Sequence, residues 1–385
     1  MLKILITVGI FPPDIGGPAT YVPFIAEALA SRGHQVTVVA PQDSHDVHPI
    51  DAVGYRLVRF NRPRILRYIN YFIEQFRAFV TIFNEARSRD IIYVNGFEFP
   101  SAIVGWFLRK PLVTKAVGDG AWELAYSRGW TTLSLDDFRS FNSYRVSLFR
   151  FLRYCSARSS IAVITPSQYL KDVVVGWGVD RARIKVIYNA FFQEKNAQHG
   201  IEIPEPFWDG FRVISIGRIV AHKRLHQVVA AVMGIPNAKL VLVGDGPLRH
   251  IIEQQVKALN VADRVYFTGK ISKAQVDYLL DHYAQAFVLN STYEGLPHVV
   301  LEAASHHVPV VATAVGGTVE VIEHEKSGLL VQPECPSELL LALLRLQGNP
   351  NLRKNLAEAA YKNLINFSVE RMVDETEQVL LDASP

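Results

Sequence analysis

Cysteine is nearly absent from the 385-residue chain: Cys155 and Cys335 are its only two, and they lie far apart. That excludes a disulfide framework and the paired spacing of a structural metal site, and it fits a reducing compartment. No stretch reaches the ~20 apolar residues of a membrane span, so a soluble or peripheral protein is expected. Charge of one sign is lacking as well. Lys and Arg number 40 against 37 Asp and Glu, a net charge of +3, too small to mark a nucleic-acid binder, and no motif supports one. Heptads, low-complexity tracts and an obvious short repeat are missing.

What remains is apolar material in quantity. Hydrophobic residues make up 49% of the chain and charged ones 20%, which rules out a disordered protein. The length exceeds the roughly 250–300 residues at which a single core stops growing, so two domains are expected. The opening Met1–Gly9 has one lysine and a short apolar run like a weak signal sequence. No small-residue cleavage site follows, and a buried first β-strand explains it better.

Short β-branched runs alternate with helical patterns. Strands are predicted at 2–8, 35–40, 91–94, 112–116, 161–165 and 185–188, and helices at 19–32, 66–87, 101–109, 138–157 and 167–176. Apolar strands joined by helices indicate a parallel sheet covered on both faces. The rhythm breaks at 193–210, a polar stretch with two prolines that reads as a linker. Six further strands follow, at 212–216, 239–243, 265–268, 286–289, 309–313 and 328–331. The expected division is a first domain at 1–192, a linker at 193–210 and a second domain at 211–366. A C-terminal helix within 367–385, with Ser368 as its N-cap, is expected to pack back on the first domain.

In open α/β sheets, ligands bind beyond the carboxyl ends of the strands, so motifs there carry the most weight. After the first strand comes Phe11-Pro12-Pro13-Asp14-Ile15-Gly16-Gly17-Pro18, whose glycines let backbone N–H groups approach a ligand at a helix start. It is not Gly-x-Gly-x-x-Gly, which disfavours a dinucleotide enzyme. Ser215-Ile216-Gly217-Arg218, with Lys223 five residues on, makes a cationic pocket suited to phosphate oxygens or, equally, two solvated cations. Gly244-Asp245-Gly246-Pro247 is mainly a tight turn. The strongest block is Tyr293–Ala303. Glu294 lies in a loop, Pro297 opens a helix, and Glu302 stands beyond its first turn, with seven residues between the two glutamates. One carboxylate can accept bonds from a sugar and the other can grip a vicinal diol, while the N–H groups of Gly295, Leu296, Pro297's neighbours and Val299 favour hydroxyls or a phosphate. At the end of strand 112–116, Gly118-Asp119-Gly120 places either a cleft-facing acid or an Asp-Gly turn.

Taken together these blocks resemble glycosyltransferase family 4, the retaining nucleotide-sugar enzymes of GT-B fold, over nearly the whole chain. The α/β fold so implied is two Rossmann-like open parallel-sheet domains facing across a cleft. The resemblance implies that Arg218 and Lys223 hold the donor diphosphate, Glu302 the ribose, and Glu294 the donor sugar with the backbone of Gly295, Leu296 and Pro297. Lys270 and Ile271 would lie near the base, with Gly217 beside the diphosphate. Gly16 and Gly17 would approach the phosphate or the acceptor. Asp119 stands where many members carry a histidine, in a Gly-Asp-x-Ala-Trp-Glu variant of a bacterial and archaeal branch. No Asp-x-Asp occurs in the chain, so protein cations and helix N–H groups are expected to stabilise the leaving diphosphate without a metal ion. No cofactor is expected. The substrates implied are a UDP- or GDP-sugar and a glycan or lipid-linked acceptor, for surface polysaccharide or glycolipid synthesis in the cytoplasm or on the inner face of its membrane.

Two segments interleave arginines with aromatics. Arg56, Arg59, Arg62, Arg64 and Arg67 stand among Tyr55, Phe60, Tyr68, Tyr71 and Phe72. Arg139, Arg145, Arg150, Arg153 and Arg158 stand among Phe138, Phe141, Tyr144, Phe149 and Phe151. Either they meet an anionic membrane surface or their aromatics face the core and their arginines face solvent. A non-catalytic nucleotide-sugar binder and a nucleotide-sugar hydrolase or epimerase of the same fold remain alternatives to the transferase.

Overall fold

The computed structural model describes residues 1–14, 16–43, 54–63, 67–131, 133–141, 143–191 and 200–384. The chain divides into two compact units, one of Met1–Tyr188 with Glu370–Pro385 and one of Asn189–Val369. The first runs β1 (Lys3–Val8), α1 (Gly17–Ser31), β2 (Gln35–Gln42), β3 (Arg56–Asn61), α2 (Arg67–Ala86), β4 (Ile91–Asn95), α3 (Glu98–Leu108), β5 (Leu112–Lys115), α4 (Gly120–Ser127), α5 (Tyr144–Ser159), β6 (Ala162–Thr165), α6 (Gln168–Val175) and β7 (Ile184–Val186). Its seven strands are parallel in the order β3-β2-β1-β4-β5-β6-β7. The central strands are buried almost throughout, as a sheet covered on both faces requires.

Three elements depart from the sequence expectation. β3 falls in the first arginine-aromatic segment and alternates Arg, Leu, Val, Arg, Phe. It is an edge strand, and charged side chains are what protect an edge from further pairing. α4 begins at the end of the Gly118-Asp119-Gly120 block, read above as either a cleft-facing acid or an Asp-Gly turn, and α5 begins at Tyr144 instead of Phe138.

The second unit runs β8 (Phe211–Ile216), α7 (Leu225–Met233), β9 (Ala238–Val243), α8 (Arg249–Ala258), β10 (Val265–Gly269), α9 (Lys273–Tyr278), β11 (Ala286–Leu289), α10 (His298–Ser305), β12 (Val310–Thr313), α11 (Thr318–Val321), β13 (Leu329–Val331), α12 (Pro336–Gly348) and α13 (Pro350–Asn363). Its six parallel strands are ordered β10-β9-β8-β11-β12-β13. Their apolar faces pack with α7, α8 and α12 into one core. α14 (Val369–Asp382) then returns the chain to the first unit, where Asp374 and Glu377 pair with Arg32 and Glu377 also meets His34 Nε2 at 2.7 Å. Residues 192–199 of the expected linker lie outside the described residues.

Both sheets reverse strand order once, between β1 and β4 and between β8 and β11. A crevice opens beyond the carboxyl ends of the strands at such a switch point.

Candidate active site

In the second unit, the loops after β8 and β11 meet at the switch point. The β8 loop is fixed by backbone bonds from Gly217 N to Val243 O (2.9 Å) and from Ile219 N to Asp245 O (3.0 Å). Gly244 allows this approach, since a Cβ there would lie 2.1 Å from the Gly217 carbonyl oxygen. A short 3-10 turn, Ala221–Lys223, then aims Lys223 back at the strand ends. Its Nζ donates to Glu294 Oε1 at 2.6 Å, and Ser291 Oγ donates to the same oxygen at 2.6 Å. Thr292 N donates to the His222 carbonyl at 2.8 Å and ties the two loops together. From the other side, Gly317 N donates to the Glu294 carbonyl at 2.9 Å. Gly316, at φ +50°, would bring a Cβ to 2.0 Å of that same oxygen, so glycine is required for the contact.

Arg218 lies in the same loop as Gly217 and Lys223. It is exposed, and its side chain makes no hydrogen bond or ion pair among the described residues. A concavity lined by Gly217, Arg218, Lys223 and Asn290 follows from this arrangement. The sequence reading missed His222. Burial pushes its imidazole down to about 4, and Lys223 and Arg218 add to the shift against Glu294. It is neutral at pH 7, so the positive charge here belongs to Arg218 and Lys223.

Glu302 lies on the second turn of α10, whose N-cap is Pro297 in the segment Gly295-Leu296-Pro297. Burial raises its carboxyl above the ordinary value, and Lys273, 3.9 Å away, opposes that rise. Lys273 is held by Asp277, which also bonds His306 Nε2 at 3.1 Å, while His306 Nδ1 meets Asp281 at 2.6 Å. Lys273, Asp277, His306 and Ser291 all escaped the sequence reading, because each acts through a partner distant in sequence, one helical turn away or, for Ser291, three residues on in the same loop. Lys270 and Ile271 follow β10 on the flank of the sheet, Lys270 exposed and Ile271 half-buried. Just beyond them, Ser272 caps α9 in a reciprocal bond with Gln275, and this fixes where their loop ends.

In the first unit, Gly16 is the N-cap of α1 and Gly17 its first residue. A Cβ at Gly16 would meet Ile10 at 2.6 Å, whereas Gly17 faces open space. The helix N-terminus is therefore approachable at Gly17. Ile15 lies outside the described residues.

Asp119 is otherwise engaged than its motif suggests. It is buried and caps α4, with Oδ1 accepting from Ala121 N at 3.0 Å and Trp122 N at 3.1 Å. Oδ2 accepts from Trp177 Nε1 at 3.2 Å and pairs with Arg153. Arg153 in turn stacks 4.4 Å over the Trp177 ring. Both carboxylate oxygens are thus bonded within the unit.

The described arginines of the two aromatic segments are likewise bonded within the unit. Arg62 bonds Asp14, Asp43, Glu74 and the Gly9 carbonyl. Arg59 bonds the Pro12 carbonyl and Arg56 pairs with Glu85. Arg150 bonds the Phe138 and Phe141 carbonyls. Arg158 bonds the Tyr154 hydroxyl. Arg64 lies outside the described residues, as do the side chains of Arg67, Tyr68, Arg139 and Arg145.

Comparison with known proteins places both units. Residues 202–363 match the model of group 1 glycosyl transferases, and residues 16–190 match a glycosyl transferase 4-like domain. The chain is 27% identical to an uncharacterized glycosyltransferase of Methanocaldococcus jannaschii, covering 98% of this chain and 97% of that one. It is 28% identical to a GDP-mannose-dependent phosphatidylinositol monomannoside mannosyltransferase of Mycobacterium tuberculosis, covering 86% and 85%. A solved structure of Anabaena HepE in complex with UDP and glucose superposes with a TM-score of 0.78 at 20% identity, covering 99% of this chain and 100% of that one.

Proposed function

We propose, from the premise that this chain belongs to the GT-B glycosyltransferases of group 1 with a 4-like N-terminal domain, that it moves a sugar from a UDP- or GDP-sugar to a glycan or lipid-linked acceptor. The anomeric configuration is retained and no metal ion takes part. The observation that carries this reading is the half-buried Lys223–Glu294 pair beside the unpartnered Arg218 side chain, at the switch point of the second unit.

The chemistry follows from charge. Breaking the anomeric bond leaves negative charge on the diphosphate, and Arg218 and Lys223 are fixed cations ready to receive it. Lys223 then serves both the diphosphate and Glu294, whose carboxylate accepts hydrogen bonds from donor-sugar hydroxyls. Glu302, in its half-buried setting, accepts from the ribose hydroxyls. The leaving phosphate takes the acceptor's proton on the same face of the sugar, which is how retention arises without a protein nucleophile. Asp119 supports α4 and takes no sugar contact.

Relatives that act in lipopolysaccharide core and phosphatidylinositol mannoside synthesis support an acceptor at a cell surface or in a lipid. A thermal-shift panel of UDP-, GDP- and ADP-sugars, with and without magnesium, tests the donor half. Stabilisation by one sugar nucleotide regardless of magnesium is expected, and stabilisation by none would remove the reading.

A further inference from the structure

Lys115 closes β5 at the carboxyl edge of the first sheet and takes no part in the donor site of the second unit. It is 4% exposed. A lysine sunk that deep is ordinarily paired. Its Nζ makes no hydrogen bond or ion pair among the described residues. The nitrogen lies 3.5 Å from the centre of the Tyr21 ring. Burial holds its pKa well below the ordinary lysine value, with no charge beside it to offset the effect. The titratable groups around it are neutral. The Tyr21 and Tyr93 hydroxyls bond each other at 2.8 Å, and burial pushes both up, Tyr21 to about 12.

Tyr21 lies on the second turn of α1, and helical side chains lean back over the preceding turn. That turn is the start of the helix at Gly17, so the buried amine lies under the N-terminus of a 15-residue helix. This helix end lacks its usual partners. Gly16 offers no capping side chain, and the first turn holds no acid. Thr20 N bonds the Gly16 carbonyl at 3.2 Å. Pro18 has no N–H, so Gly17 and Ala19 direct theirs out of the helix end. The space in front is open, since a Cβ at Gly17, or at Gly9 just after β1, would meet nothing within 4 Å. Asp14, the acid of the loop between them, is taken by Arg62 at 2.9 Å. A buried amine at the positive end of a helix dipole is disfavoured twice as a cation. An anion between the two relieves both penalties.

We propose that Lys115 and the N-terminus of α1 form an oxyanion subsite in the first unit, which takes a phosphate or carboxylate group of the acceptor. The two anion sites then divide the substrates. Arg218 and Lys223 hold the donor diphosphate, and Lys115 holds the charged group of the acceptor, which is an acid or a phosphate ester and not a neutral sugar chain. That the oxyanion belongs to an acceptor rests on the transferase reading above, whereas the subsite itself does not.

Inorganic phosphate and acetate are titrated by calorimetry into the full chain carrying Arg218→Ala/Lys223→Met, in which the cations of the second unit are silent. At least one of the two anions should bind, and the tighter one names the acceptor's group. Adding Lys115→Met should weaken that binding at least about tenfold, the value of one charged hydrogen bond. The melting midpoint should stay level or rise, because an apolar side chain of similar length replaces an unpaired buried amine. In NMR spectra of the chain with Lys115 intact, the same anion should move the amide signals of Gly17 and Ala19, a readout that stands even if the Lys115→Met chain does not fold. Binding of neither anion, binding indifferent to Lys115, or unmoved signals at Gly17 and Ala19 would overturn the subsite. Failure of the unsubstituted chain to bind any sugar nucleotide would instead remove the donor reading, and the acceptor assignment with it, while a Lys115-dependent anion site would stand.

Discussion

Replacing Lys223 by methionine keeps the length of the side chain and removes its charge. Glu294 then keeps only Ser291 on Oε1. The two side chains of the pair are 16% and 12% exposed. Removing one partner of a fully buried ion pair costs ~3–5 kcal/mol, and the remaining exposure brings the expected loss to about 2–3 kcal/mol. Glu294→Gln strands the cation instead, but Lys223 can still reach solvent along its stem, so about 1 kcal/mol is expected. The double variant leaves no unpaired charge and should recover most of the loss. The cycle should therefore show a coupling of about 2 kcal/mol. Urea denaturation of the four proteins measures it, on the transition that Lys223→Met moves. The same four proteins should part ways towards UDP. Lys223→Met should weaken binding by roughly tenfold to a hundredfold, the value of one charged hydrogen bond, whereas Glu294→Gln should leave it unchanged or tighter because the lysine is released. Additive stabilities, or UDP binding that depends on Glu294 and not on Lys223, would refute the pairing as the organising contact of the site.

Asp119→Ala should lower stability by about 2–4 kcal/mol, combining a lost helix cap with a stranded, mostly buried Arg153. Thermal denaturation checks this, and unchanged stability with abolished turnover would return Asp119 to the sugar. Glu302→Gln should weaken UDP binding about tenfold and leave the binding of a dideoxyuridine diphosphate unaltered, a comparison open to calorimetry. The His306 cluster predicts a pH dependence. Burial pushes His306 down, but bonds from Asp277 and Asp281 outweigh it and leave its pKa above the ordinary value. Its contribution to stability is thus complete below the ordinary histidine pKa and lost as pH rises through the raised one. The melting midpoint of His306→Gln should fall short of the parent by more at pH 6 than at pH 9, and an equal deficit at both would contradict the assignment.

Much of the fold was legible because apolar strands of a covered parallel sheet leave long β-branched runs, as in β1, β9 and β12. β3 was not, because its Arg56 and Arg59 serve an edge position, pairing with Glu85 and the Pro12 carbonyl. Residue type alone singled out Arg218, Lys223, Glu294 and Glu302, and they stand on loops and a helix at strand ends. Their pairings were not legible. Lys223 and Glu294 lie 71 residues apart, and only the strand order β8-β11 makes them neighbours. The bonds of Asp119 were not legible for a related reason, since an aspartate that caps a helix and one that faces a ligand look alike until Arg153 and Trp177 are placed.

The claim at the centre is that Arg218 and Lys223 grip a nucleoside diphosphate without a metal ion. Calorimetric titration of UDP, then GDP, into the full chain in EDTA tests it, beside the Arg218→Ala/Lys223→Met variant. The account predicts binding of one of the two nucleotides in EDTA and a loss of at least about a hundredfold in the variant. Binding that appears only with added magnesium or manganese, or equal affinity in the parent and the variant, would contradict it.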